Sequence, residues 1–189
     1  MNPAWVVRTG RLLLRPVGWE DLSELQAIKG DPRVFAVMLG GVRTPVRAAE
    51  ELAEDIQAWG ARGVGMWTVR EDGRFHGIVG LMDRPDGRGL SLRFALWPES
   101  QGRGLAREAA SAVLRFAHER AGIARVVAVA REENTASRMV LGGIGMVECG
   151  AFLRDGHRML VYESEGRPGA PPPNAEAWDP AGGSGPQTP

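Results

Sequence analysis

Between Leu96 and Ala106 the chain reads Leu-Trp-Pro-Glu-Ser-Gln-Gly-Arg-Gly-Leu-Ala, with two glycines where an extended segment gives way to a helical pattern. The first turn of a helix carries N–H groups without intrahelical partners and the positive end of the macrodipole, so it binds anions. Gly102 and Gly104 remove side chains that would keep a phosphate from the backbone, and Ala106 is nearly as small. Arg103 and Arg107 add positive charge. The chemistry on offer is phosphate or pyrophosphate binding. Two better-known phosphate motifs do not fit. No Gly-Lys-Ser/Thr ending makes a P-loop, and Arg107 stands where a dinucleotide fingerprint wants its third small residue. A glycine turn that merely caps a helix fits the same residues.

The elements that must position this loop follow from periodicity. Arg11–Arg15 reads as a strand ended by Pro16, and Trp19–Lys29 as an amphipathic helix stopped by Asp31-Pro32. Thr44-Pro45 places a cap and a first-turn proline before a helix whose apolar face is Val46, Ala49, Leu52, Ala53, Ile56 and Trp59. Strands are predicted at Met66–Arg70, Phe75–Met82 and Leu90–Leu96, the first two joined by a hairpin turn at Glu71–Arg74. Leu92, Phe94 and Leu96 share one face of the third, with Ser91, Arg93 and Ala95 on the other. A helix over Gly104–Ala121, a buried strand over Arg125–Ala130, a helix over Thr135–Leu141 and strands at Met146–Arg154 and His157–Ser164 complete the pattern, the last two joined by Asp155-Gly156. The expected fold is α+β, a mixed, mostly antiparallel sheet of six or seven strands with flanking helices.

The 189 residues carry 23 basic and 23 acidic side chains, so no net charge draws the chain to nucleic acid or an anionic membrane. The single cysteine, Cys149, excludes an intrachain disulfide framework and a multi-cysteine zinc site, and no metal site is expected. No targeting signal or membrane-length apolar stretch is visible, which sets the expectation of a soluble cytoplasmic protein. Seven of the 13 prolines lie between Pro168 and Pro189, so 1–164 reads as the folded domain and 165–189, with Trp178, as a disordered tail.

Gln101-Gly102-Arg103-Gly104-Leu105-Ala106 resembles the Gln/Arg-x-x-Gly-x-Gly/Ala signature of the GCN5-related N-acetyltransferases (GNAT). Asn134-Thr135-Ala136-Ser137 followed by Leu141-Gly142-Gly143-Ile144-Gly145-Met146 looks like that family's second motif. Thr9–Pro16 with Trp19-Glu20-Asp21-Leu22 is similar to the RimJ/RimL-like branch that acetylates ribosomal-protein N-termini.

The resemblance, over about residues 8 to 164, implies a sheet whose strands at Leu90–Leu96 and Arg125–Ala130 splay to admit acetyl-CoA or another acyl-CoA as cosubstrate. The diphosphate would rest on the N–H groups of Gly102, Arg103, Gly104, Leu105 and Ala106, beside Gln101. The pantetheine amides would pair with the strand edge near Leu96 and Trp97. Asn134 would bond the pantetheine arm, although a plain N-cap accounts for it equally well.

The implied reaction is direct attack of a primary amine, on a protein N-terminus or a small molecule, at the thioester. A backbone N–H near Phe94 to Leu96 would stabilise the oxyanion. The second motif lacks the tyrosine that often protonates the departing thiolate; Ser137 stands where the ribosomal-protein branch commonly has serine, and the resemblance implies that role for it. The strand glutamate of many relatives is missing from Ser91-Leu92-Arg93, so the base is sought at Glu99 or His157, with His76 and Asp83 further candidates. A histidine suits the task by its ordinary pKa, while His157 and His76 also read as exposed turn residues. Those two departures keep open a rival: a silent coenzyme A-binding module used for sensing or assembly. Trp19, Trp59 and Trp67 either line an acceptor pocket or fill the core, the core being the commoner place for such residues. Arg93 either enters the cleft, where it would meet an acidic acceptor, or faces solvent. A homodimer is compatible with the pattern.

Overall fold

The computed structural model describes residues 2–166. The segment read as a tail, with Trp178, therefore lies outside the described residues from 167 onward. Eight strands run in the order β1-β2-β3-β4-β5-β6-β8-β7: β1 Val7–Arg8, β2 Leu13–Pro16, β3 Met66–Glu71, β4 Arg74–Asp83, β5 Leu90–Leu96, β6 Arg125–Arg131, β7 Val147–Arg154 and β8 His157–Glu165. The strand beyond the expected six or seven is β1, only two residues long and too short to leave a periodic signal. Every neighbouring pair is antiparallel except β5 and β6, which run parallel and share one bridge, Ser91 with Val127.

Both predicted hairpin turns are two-residue turns with positive φ at both positions, Asp72-Gly73 and Asp155-Gly156. α1 spans Leu22–Gly30, α2 Pro32–Phe35, α3 Pro45–Arg62, α4 Leu105–Arg115 and α5 Thr135–Gly143. Trp19–Asp21 forms a separate 3-10 turn before α1. Thr44 Oγ1 accepts from Arg47 N at 3.2 Å to cap α3, but that helix buries Ala48, Leu52 and Trp59 and leaves Val46 exposed. The long helix predicted to Ala121 ends as α-helix at Arg115 and widens into a π turn over Phe116–Arg120. Within that turn His118 reaches the Ile123 carbonyl (2.6 Å) and Ser164 Oγ (3.0 Å), tying the helix end to β8.

Two apolar clusters sandwich the sheet. On one face Leu105, Ala109, Val113 and Leu141 of α4 and α5 pack against Val79, Leu92, Leu96, Val126 and Leu160. On the other, Leu25, Ile28, Phe35 and Leu52 pack against Met66, Ile78 and Ala95. The alternation read along Leu90–Leu96 holds, Leu92 and Leu96 belonging to the first cluster and Ala95 to the second. Trp59 and Trp67 lie in the core, their rings edge to face with centroids 4.4 Å apart, while Trp19 is exposed. None of the three is among the residues that line the cleft beside β5 and β6.

Candidate active site

Gly102 and Gly104 both adopt left-handed backbone (φ 72° and 77°), and Gly104 is the N-cap of α4. An L side chain is strained there, and a Cβ on Gly102 would point into open space. No side chain caps α4, so the N–H groups of its first turn are unclaimed by a side-chain cap. N–H groups left open in this way at a helix start can receive an anion such as a diphosphate. Leu105 itself is core, packed in the first apolar cluster. Gln101 Nε2 lies 3.4 Å from the Leu96 carbonyl, folding the loop back on the end of β5.

The arginines of the loop are placed differently from the reading that gave them to the phosphate. Arg103 pairs with Glu71, and its carbonyl accepts from Arg11 Nη1 at 3.0 Å. The Arg107 guanidinium lies over Gly143 of α5. The Arg103 guanidinium stays half exposed in this surface pair.

Beyond the single bridge at Ser91, β5 and β6 separate, as a splayed sheet requires. Trp97 N–H donates to the His76 carbonyl at 3.0 Å, and its carbonyl accepts from Ser100 N, so Trp97 offers the gap no free backbone group. In an antiparallel ladder the bonding direction alternates, which turns the N–H groups of Leu96 and Phe94 away from β4 and into the gap. A cleft of about 320 Å³ passes through this opening. On one side it is lined by Asn134, Ser137 and Leu141 of α5; on the other by the loop Ala36–Gly41, Arg84, Arg93, Arg154 and His157.

Asn134 caps α5, its Oδ1 accepting from Ser137 N at 3.0 Å, so the cap reading holds and only the amide NH2 is left to donate. Ser137 Oγ has no protein partner among the described residues. His157 lines the cleft, and its Nδ1 lies 2.8 Å from Glu133 Oε1, a pairing that orients the ring. Glu133 was not singled out in the sequence; its place one residue before the Asn134 cap was the available signal.

The remaining acid–base candidates are not brought to the cleft. Glu99 is exposed on the 3-10 turn Pro98–Ser100. Asp83 pairs with Arg62 at the surface. His76 is not an exposed turn residue: it is 1% exposed on β4, with Nδ1 2.8 Å from Ser100 Oγ and Nε2 3.6 Å from Glu71. Burial lowers its pKa, against the pull of Glu71.

Arg93 enters the cleft. Burial, followed by the nearby charges of Arg43 and Arg84, lowers the pKa of its guanidinium. Behind it sits a polar network absent from the sequence reading. Lys29, 4% exposed, pairs with Glu51 at 2.9 Å and Asp55 at 3.8 Å, and Glu51 also accepts from Arg43 Nε at 2.5 Å.

A sheet that parts beside a glycine-opened helix, with a cleft running through to the opposite face, is the architecture of an acyl-CoA N-acyltransferase. Residues 11–147 match the acetyltransferase (GNAT) domain. The chain belongs to that family and is an acetyl-CoA-dependent N-acetyltransferase. It is 29% identical over 161 residues to the FsC-acetyl coenzyme A-N(2)-transacetylase of Aspergillus fumigatus, covering 78% of this chain and 67% of that protein. An acetyltransferase from Agrobacterium tumefaciens superposes with TM-score 0.74 at 26% identity, covering 85% of this chain and 94% of that one. The RimL ribosomal L7/L12 alpha-N-protein acetyltransferase, in complex with coenzyme A, shares the fold with TM-score 0.71 at 17% identity over 85% of this chain and 98% of that one. Among the described residues no helix is long and apolar enough to cross a membrane.

Proposed function

We propose that the chain moves an acetyl group from acetyl-CoA to a primary amine by direct attack, the acceptor being a protein N-terminus or a small molecule. The observation that carries this reading is the parting of β5 from β6 after one bridge, with α5 on one side of the cleft and His157 and Arg93 on the other. Acetyl-CoA supplies a thioester carbonyl open to attack and a thiolate able to leave. First-turn N–H groups from Gly104 to Ala106 hold its diphosphate, the turned-out backbone of Leu96 pairs with the pantetheine amides, and the Asn134 amide donates to the same arm.

The amine must shed a proton to attack. His157, with its ring held by Glu133, takes that proton. The N–H of Phe94 or Leu96 donates to the carbonyl oxygen as it gains charge. Ser137 Oγ, without a protein partner among the described residues, donates to the departing sulfur. Glu99 has no part in these steps.

Thiol release from acetyl-CoA across a panel of peptide and small-molecule amines tests the reading, with calorimetry for coenzyme A binding. Turnover on at least one amine is expected. Binding without thiol release on any amine overturns the acceptor reading, and absence of binding overturns the cofactor site.

A further inference from the structure

Charge is unevenly spread around the cleft. Arg84, Arg93, Arg131 and Arg154 line it, against one acidic lining residue, Asp155. Three of the four have carboxylate partners. Arg84 holds Asp86 through a forked pair (2.7 to 3.1 Å), and Arg88 and Arg154 reach the same carboxylate at 3.3 and 3.5 Å. Asp86 is accordingly held far below the usual carboxylate range, Arg84 first among the causes. Arg131 stands 3.8 Å from Glu133.

Arg93 is the exception. Among the described residues the only hydrogen-bond partner of its guanidinium is the Met82 thioether, 2.7 Å from Nη1. A thioether is a weak acceptor, and a guanidinium carries five donors. Glu51 and Asp55 are near enough to be felt electrostatically but do not come within ion-pair distance, being engaged with Lys29 and Arg43. A half-buried guanidinium with unspent donors, among three further arginines that share too few carboxylates, is a poor way to stabilise a fold. It is a good way to receive an anion from outside.

We propose that the acceptor is an amine carrying a carboxylate within a few bonds of its nucleophilic nitrogen, and that Arg93 holds that carboxylate in a forked pair, with Arg84 and Arg154 adding attraction. The inference rests on the functional reading above and narrows it to a substrate class. Arg93 lies on the strand that also presents the Phe94 and Leu96 N–H groups to the gap, so anchoring the carboxylate there fixes the amine close to the thioester. A planar guanidinium suits a carboxylate because two parallel N–H bonds form at once. Two sources share this chemistry, a free amino acid and a peptide whose first residue is acidic.

The test is thiol release by the full chain on matched pairs. Glycine, β-alanine and γ-aminobutyrate are each set against their amides, and Glu-Ala-Ala amide against Gln-Ala-Ala amide. We expect kcat/KM to favour the carboxylate by about tenfold or more in one arm, which names the source. Arg93→Gln removes the preference, while its Kd for coenzyme A stays within about twofold of wild type, which shows the variant is folded. Arg93→Lys keeps the charge without the fork and retains only part of the preference. Where an arm shows no turnover, N-acetyl-γ-aminobutyrate and its amide are titrated into the coenzyme A complex, and carboxylate-dependent binding that Arg93→Gln abolishes is the supporting result. Equal use of acids and amides, equal binding of the two acetylated compounds, or a preference that survives Arg93→Gln overturns the proposal and leaves the acetyltransferase standing. Failure of the wild-type chain to bind coenzyme A overturns the underlying cofactor reading instead.

Discussion

Arg11 and Glu108, 97 residues apart, meet through two bonds, Arg11 Nε to Oε2 at 2.8 Å and Arg11 N to Oε1 at 3.0 Å. Thr9 Oγ1 joins the same carboxylate at 2.5 Å, and Arg11 Nη1 reaches on to the Arg103 carbonyl. The entry to β2 therefore clamps the first turn of α4 and the glycine loop before it. Burial would raise the Glu108 pKa, but the bonds from Thr9 and Arg11 outweigh it and lower it. Arg11→Met should weaken coenzyme A binding by roughly three- to tenfold, measured by calorimetry, while the circular dichroism spectrum is unchanged. Because the folded pKa lies below the unfolded one, the Glu108 contribution is present above the ordinary carboxylate range and is lost as pH falls through the folded value.

Gly104 gives a sharper test of the cradle. A side chain there meets left-handed backbone, at a cost of about 1–2 kcal/mol, and its Cβ would lie 3.6 Å from Arg11 Nη2, in the clamp that holds the loop. Gly104→Val should raise the coenzyme A Kd by tenfold or more, with a lowered thermal midpoint. Tight binding by that variant would place the diphosphate elsewhere.

Ser137 and His157 separate by what they do to the rate. Ser137→Ala should lower kcat by roughly 100-fold with coenzyme A affinity kept, because the role proposed for the lost group is on the leaving sulfur. His157→Gln should lower kcat/KM for the amine by a similar factor. Glu133→Gln, which leaves the imidazole but weakens its anchor, should lower kcat/KM for the amine by a smaller factor, with coenzyme A affinity kept.

Much of this was legible because it is local. Asp72-Gly73 and Asp155-Gly156 announce hairpins in two residues, and Gly102 and Gly104 announce a helix entry. Partners distant in sequence were not legible. The pairing of Arg103 with Glu71, 32 residues away, leaves no local signal, and neither does that of His157 with Glu133 on a different element. His76 was misplaced for another reason: β4 is covered on both faces, so even a polar residue near its start is drawn inside. The Lys29–Glu51–Asp55 network leaves no motif, only three charged residues on the seam between α1 and α3.

The core can be probed through Trp67. It is fully buried, with its ring 5.3 Å from Phe116 and 4.4 Å from Trp59 and its Nε1 donating to the Trp5 carbonyl at 2.7 Å. Trp67→Ala should cost roughly 3–5 kcal/mol in denaturant unfolding. An effect confined to KM would return this tryptophan to the acceptor pocket.

Asp55 supplies a pH signature of the network behind the cleft. Burial, against the attraction of Lys29 and with the repulsion of Glu51 and Glu54, raises its pKa from 3.8 to about 6. Between those values the folded chain binds a proton that the unfolded chain has released, so this residue's contribution to stability falls as pH rises through the window and is flat above it. The full difference is ~3 kcal/mol at about 1.4 kcal/mol per unit. Asp55→Asn cannot ionise and escapes that loss. Denaturant unfolding from pH 4 to 7 should therefore show the variant gaining on the wild type by up to ~3 kcal/mol as pH rises. A constant difference across that range would mean that Asp55 is ionised in the fold throughout, its charge fully met by Lys29.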